Sequence, residues 1–204
     1  MKTLDVSKRV NEFIEEQEII EEYESILTGY QSTFPKGYWN DKDEGKHKIG
    51  IIIRHIQKNI LKCDIEDMYM LSHADFKTLR LWGGLRQVYN NRFIDAVLDA
   101  YTDEEGNCSL VKHRFRMIPN KYWNAETYIG AIRYEISYKF KGITATGLKN
   151  IWGSKFVCDA LDLDGAYRQL KSTMSIKETL ILAFPRNFID ENGKIKVVDD
   201  NLRF

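Results

Sequence analysis

Three prolines and three cysteines in 204 residues are the chain's first scarcities. So little proline leaves long helices uninterrupted. Cys63, Cys108 and Cys158 are odd in number and far apart, so no disulfide framework and no cysteine pair with metal-ligand spacing is expected. Reduced, buried thiols in a cytoplasmic protein fit that usage. His47, His55, His73 and His113 show no His-x-x-x-His spacing and have no cysteine beside them, which argues against zinc. A glycine-rich phosphate loop and a nucleophile elbow are both missing. The segment from Met1 to Phe13 has no apolar signal core, and no apolar run approaches the roughly 20 residues a membrane helix needs. Net charge is absent as well, 30 basic residues cancelling 30 acidic ones. These absences predict a soluble protein that is not an enzyme, carries no cofactor or metal, and does not enter a membrane.

What is present is ordinary globular material. Apolar residues make up 43% of the chain and charged residues 29%, which is outside the range of disorder. Aromatic residues reach 12%, so large rings should dominate the core. The charge is unevenly spread. Residues 1–30 hold three basic and eight acidic side chains, and the remainder holds 27 basic and 22 acidic. An acidic first segment therefore precedes a mildly basic body.

The chain matches itself. Phe34-Pro35-Lys36-Gly37-Tyr38-Trp39-Asn40 pairs with Ile118-Pro119-Asn120-Lys121-Tyr122-Trp123-Asn124. Ile49-Gly50 pairs with Ile129-Gly130, Arg86-Gln87-Val88 with Arg168-Gln169-Leu170, and Ala100-Tyr101 with Ala183-Phe184. Asp103-Glu104-Glu105-Gly106 pairs with Asp190-Glu191-Asn192-Gly193, and Phe115-Arg116-Met117 with Leu202-Arg203-Phe204. The pairs are collinear with a few short insertions. The predicted fold is mainly α: a long N-terminal helix, then two tandem, diverged helical modules with short extended or hairpin tails. Residues 1–33 form an acidic amphipathic lead-in, 34–117 module one and 118–204 module two.

Each module reads alike. Asn40 and Asn124 are candidate N-caps. Ile49, Ile52, Ile53, Ile56 and Ile60 follow a helical stripe, which Ile129, Ile132, Ile136 and Phe140 echo. Ser72-His73-Ala74-Asp75 has the capping-box pattern. Gly83-Gly84 and Asp164-Gly165 read as helix stops. Ile94, Val97, Leu98 and Tyr101 mark the last helix of module one, and Ser175 with Glu178 starts its counterpart. In the lead-in, Val6, Val10, Phe13, Ile14, Ile20, Tyr23 and Leu27 give an amphipathic helix of about seven turns, with Gly29 as its C-cap. That helix packs on module one or pairs with a second chain as a homodimer. Trp39 and Trp123 are read as buried anchors of their modules.

The acidic helix, Leu27-Thr28-Gly29, Phe34-Pro35-Lys36-Gly37-Tyr38-Trp39, Gly83-Gly84-Leu85, Val88-Tyr89-Asn90-Asn91, Ala96 and Ala100-Tyr101 come in an order that resembles one known family. It is a family of uncharacterised tandem-repeat proteins of Bacillus-type bacteria and their phages. The likeness spans nearly the whole chain, although the second copy lacks the Gly-Gly pair. The resemblance implies a helical repeat and carries no function, beyond the company that related small modules keep with DNA-acting proteins.

Few residues point to chemistry. Asp162-Leu163-Asp164-Gly165 has the look of a calcium loop, but Ala160 and Lys171 would fall on its first and twelfth ligand positions, so it is rejected. Asp64, Glu66 and Asp67 suit the start of a helix better than catalysis. Arg86 and Arg168 follow the glycine turn at the start of a short helix, the way helical DNA readers present side chains. Arg92, Asn90, Asn91, Lys77 and Lys155 complete a candidate set for phosphate or base edges. The expected function is a non-enzymatic nucleic-acid-binding regulator, with DNA preferred. The alternative is a protein-interaction module that acts on a larger complex.

Overall fold

A computed structural model describes residues 6–119 and 121–202. Asn120, Arg203 and Phe204, which the internal alignment uses, lie outside the described residues, as does the Val6 side chain. The chain is mainly helical. Strand pairing among the described residues is limited to isolated antiparallel bridges at Thr102–Cys108, Ile189–Ile195 and Thr144–Asn201. The chain divides into two compact units, Met1–Ile118 and Pro119–Phe204.

Unit 1 begins with α1 (Val6–Leu27), about six turns long. Gly29, at φ +80, turns the chain out of the helix. Only the C-terminal half of α1 joins the core, through Ile19, Tyr23 and Ile26. The buried Tyr23 hydroxyl donates to the Leu79 carbonyl at 2.9 Å, and His55 Nε2 meets Glu24 at 2.9 Å. Of the two partners open to the lead-in, the body of unit 1 is the one this half takes.

Next come α2 (Lys42–His55), a π-helical continuation (Ile56–Leu61), a 3-10 turn (Ile65–Met70), α3 (His73–Thr78), α4 (Trp82–Tyr89) and α5 (Phe93–Ala100). The isoleucine stripe fills the core: Ile49, Ile52, Ile53 and Ile56 are fully buried. Asp41, one residue beyond the expected Asn40, caps α2 by accepting from the amides of Asp43 and Glu44. A turn closed by Asn40 N on the Gly37 carbonyl carries Asn40 away from the helix start, and its side chain instead accepts from Gln87. The Ser72–Asp75 cap is in place, with Ser72 N and Oγ both donating to Asp75.

The glycine pair does not stop a helix; it lies in the first turn of α4. The break falls earlier, at Arg80, in the left-handed conformation with φ 57. Gly84 serves a close approach instead. A Cβ there would stand 2.9 Å from Cε2 and Cζ2 of Trp39, which is buried to 7% exposure. Asp164-Gly165 in unit 2 behaves the same way, starting a helix after a left-handed Asp162 at φ 58.

Unit 2 runs α6 (Ala125–Lys139), α7 (Ala145–Ile151), a π-helical segment (Phe156–Ala160), α8 (Asp164–Leu170), α9 (Ile176–Ala183) and α10 (Pro185–Phe188). Asn124 caps α6 by accepting from Thr127 N, and Ser175 caps α9 with Glu178. Several local bonds recur between the units. Asp103 N donates to the Asn107 carbonyl and Gly106 N to the Asp103 carbonyl; Asp190, Lys194 and Gly193 repeat both bonds. Each of those turns needs its glycine, at φ +84 and +73. Arg54 donates to the Ala100 carbonyl and Arg133 to the Ala183 carbonyl, each satisfying a helix end that has no intrahelical donor. The extra helix α10 separates α9 from its turn and accounts for the insertion there.

Trp123 departs from expectation. It is half-buried, against the edge of Tyr128. At the position aligned with Gly84 the sequence has Ala166, itself fully buried, so the bare backbone on which Trp39 packs has no counterpart in unit 2. The cysteines depart too, being half-buried rather than buried.

Gly84→Ala should therefore destabilise unit 1 by about 1–3 kcal/mol through overpacking. Gly83→Ala, with nothing within 4 Å of its Cβ, should be neutral or stabilising by up to about 1 kcal/mol. Urea midpoints followed by tryptophan emission measure both. Equal effects would contradict the close approach.

Candidate nucleic-acid interface

The segment 32–39 and the start of α4 face one another in unit 1 and enclose a cleft of about 500 Å³. That volume lies within the range of small-molecule sites. One wall is aromatic. Phe34 stacks on Tyr38 with centroids 5.0 Å apart, and Trp39 meets both rings edge-on at 4.7 Å. Opposite stands Trp82, half-buried, with His73 edge-on at 4.9 Å and the Lys77 ammonium 5.6 Å from its centroid. Packing on the Gly84 backbone is what brings Trp39 against α4 and the two walls within reach.

The rim is cationic. Lys36, Lys77 and Arg80 line it, all exposed, and none forms an ion pair among the described residues. No carboxylate lines the cleft among the described residues. Acids stand behind the aromatic wall instead. The Tyr38 hydroxyl is pushed up to about 12, by burial first and then by the charges of Glu22 and Glu44. It stays protonated at neutral pH. Lys48 answers those acids, 2.5 Å from Glu44 and 4.1 Å from the Tyr38 centroid.

The residues expected from sequence are scattered by the fold. Lys77, in the last turn of α3, lines the cleft. Arg86 projects from α4, exposed and without a bond to another described residue, next to the cleft-lining Gln87. Arg92 is held by Asp95 at 3.3 Å and by the Tyr89 carbonyl. Asn90 and Asn91 build the left-handed turn between α4 and α5, at φ 51 and 66, so their backbone explains their place in the chain. Arg168 in unit 2 is paired with Asp164 at 2.8 Å. Lys155 is exposed just ahead of the π-helical segment and does not occupy Lys77's place, which the alignment gives to Asp159. Sequence reasoning missed Lys36, Arg80 and Trp82 as a group. Lys36 lay inside the repeated motif, but nothing local marked Arg80 as a left-handed residue or set Trp82 against Phe34.

Little here suits catalysis. Burial raises the Cys63 and Cys158 thiols, the reverse of what an activated nucleophile needs. Among the described residues no three His, Cys, Asp or Glu side chains gather to hold a metal ion. No helix among them is long and apolar enough to cross a membrane.

Fold and cleft together define a class: a mainly helical protein with an aromatic, cation-rimmed recess. Residues 19–106 match a family model described as "Protein of unknown function (DUF4046)". The match covers less than half of the chain, falls within unit 1 and includes the whole cleft. No curated protein and no solved structure matches.

The rim makes a checkable electrostatic claim. Iodide should quench part of the tryptophan emission that caesium does not, because three cations concentrate anions beside Trp82. In Trp82→Phe that excess should largely vanish. Equal quenching by the two ions in the native protein would show that the rim is not electropositive.

Proposed function

We propose that the protein is a non-enzymatic nucleic-acid-binding regulator, acting in the cytoplasm with DNA as the preferred polymer, and that unit 1 binds through the rim and walls of the cleft. The composition of the cleft carries this reading: three cations with no ion pair and no lining carboxylate among the described residues, and planar rings behind them. Cations on a rim release counterions from a phosphate backbone. Rings behind them offer π faces to bases. Arg86, next to the cleft, adds a phosphate contact. Arg168 and Lys155 offer weaker contacts from unit 2, the first at the cost of its bond to Asp164. In this reading the chain joins the tandem-repeat proteins of Bacillus-type bacteria and their phages. Its modules, 34–117 and 118–204, are diverged copies behind the lead-in of residues 1–33; the recurring Asp-to-glycine turns support that descent.

The test is a fluorescence titration with labelled oligonucleotides at two salt concentrations. Affinity should fall steeply with salt, and Lys77→Glu with Arg80→Glu should abolish it. Arg80→Gly separates binding from folding. Removing a non-glycine residue from the left-handed region should hold or raise stability by up to about 1 kcal/mol while weakening binding. Undetectable binding at low salt would end this reading.

A second reading rests on α1. Val10, Phe13 and Ile14 are 50%, 61% and 49% exposed, on the half of the helix that the core leaves bare. Exposed large apolar side chains grouped on one helix suit a protein partner or a second chain. Sedimentation velocity across concentrations should show self-association that Phe13→Glu removes. A monomer at every concentration would exclude the homodimer.

A further inference from the structure

We infer that the cleft of unit 1 receives one unpaired nucleotide of a single strand, and that unit 2 holds no second such site. The inference rests on the nucleic-acid reading above and narrows it. The shape is the first reason. The recess is concave, about 500 Å³, with the Phe34–Tyr38 stack on one side and Trp82 on the other. Bases inside a duplex are stacked and paired, so a duplex presents phosphates to the rim and nothing to the rings. An unpaired base can leave the strand and place its π face against an aromatic side chain.

The chemistry of the walls is the second reason. A base-specific pocket needs acceptors and donors matched to base edges. Here the polar side chains are three cations, the hydroxyls of Ser32, Thr33 and Tyr38, the indoles of Trp39 and Trp82, and Gln87, whose amide nitrogen is already 3.2 Å from Asn40 Oδ1. Stacking with backbone charge neutralisation therefore dominates, and the site should tolerate any base. The cations also fit a chain better than a lone nucleotide. A phosphodiester carries one charge per residue, so three separate cations on a rim match consecutive phosphates.

Unit 2 supplies the contrast. The alignment that sets Arg86-Gln87 against Arg168-Gln169 sets Asp159, Asp162 and Asp164 where unit 1 has Lys77, Arg80 and Trp82. Asp159 and Asp162 are exposed, and Asp164 is bound to Arg168. Two rim cations have become anions and the facing indole has become a carboxylate. Carboxylates thus stand at the positions where a rim would need cations to seat a nucleotide.

The experiment titrates the intact protein, at low salt, with four probes: labelled oligothymidylate, oligouridylate, a blunt duplex of matched charge, and thymidine monophosphate. Either single strand should bind at least tenfold tighter than the duplex and far tighter than the mononucleotide, saturating at one strand per chain with quenching of tryptophan emission. Trp82→Ala should weaken strand binding about tenfold, the loss of one stacked base, and leave duplex binding unchanged. Trp82→Phe should restore most of it. Lys77→Ala with Arg80→Ala, which removes rim charge, should instead weaken strand and duplex binding alike. Duplex binding equal to strand binding, an equal loss on both from Trp82→Ala, or mononucleotide binding as tight as the strand would each overturn the inference while leaving the nucleic-acid reading standing. Two strands per chain would overturn the assignment to unit 1 alone. No binding by any probe would overturn both.

Discussion

A Cβ on Gly84 would lie 2.9 Å from the Trp39 indole, so the ring rests on bare backbone. That contact ties the segment 32–39 to the first turn of α4. Without it the Phe34–Tyr38 stack would have no fixed distance from Trp82, and no recess would lie between them. Gly84 in a helix interior is unfavourable by intrinsic preference. Burial of an indole at 7% exposure more than offsets that cost. The neighbouring helices then have little freedom. α4 must begin where the glycines are, so the preceding helix must end sooner, at Arg80.

The two units differ at the position that receives the tryptophan in unit 1. Both keep the Tyr-Trp pair, the first long helix capped by Asp41 or Asn124, and the Asp-to-glycine turn near the end. Ala166 stands at the position aligned with Gly84, and Trp123 stays half-buried. Once the ring no longer seals against the helix, the residues around it lose their shared surface. Their charges have changed sign in the same unit: Asp159, Asp162 and Asp164 replace two cations and an indole. Packing and electrostatics thus diverge together, at positions that touch one another in unit 1.

Much of the fold was legible because it rests on local rules. The isoleucine stripe, the Ser72–Asp75 and Ser175–Glu178 caps and the Gly29 terminus are all written within a few residues of where they act. Errors arose where long-range contact decided the matter. Gly83-Gly84 reads locally as a stop, and only the distant Trp39 makes Gly84 an interior residue. Asn40 reads as a cap, and a turn from Gly37 hands that role to Asp41. The candidate site was less legible still. Charge and spacing singled out Arg92 and Arg168, and both are held by neighbouring carboxylates. Lys77 is legible in the sequence, but the facing segment 32–39 lies some forty residues earlier in the chain. No pattern in a single sequence shows that Lys36, Arg80 and Trp82 close on the same space.

Arg80 is the position where local preference and placement disagree most. It adopts φ 57, a region that costs a long side chain free energy and that aspartate and asparagine enter more readily. Unit 2 has Asp162 at the matching place, at φ 58, which is the residue type the backbone prefers. Lys62, another non-glycine residue in this region, ends the π-helical segment, and Gly142, at φ +81, closes the corresponding helix in unit 2. Strained residues of this kind persist where the surrounding structure holds them and where their side chains are needed. The Arg80 side chain is exposed and makes no ion pair among the described residues, so no contact of its own compensates the backbone. What distinguishes the position is that Arg80 lines the cleft. An arginine held there against its backbone preference, at a position where unit 2 has an aspartate, is the pattern expected when charge at the rim matters more than the last increment of stability.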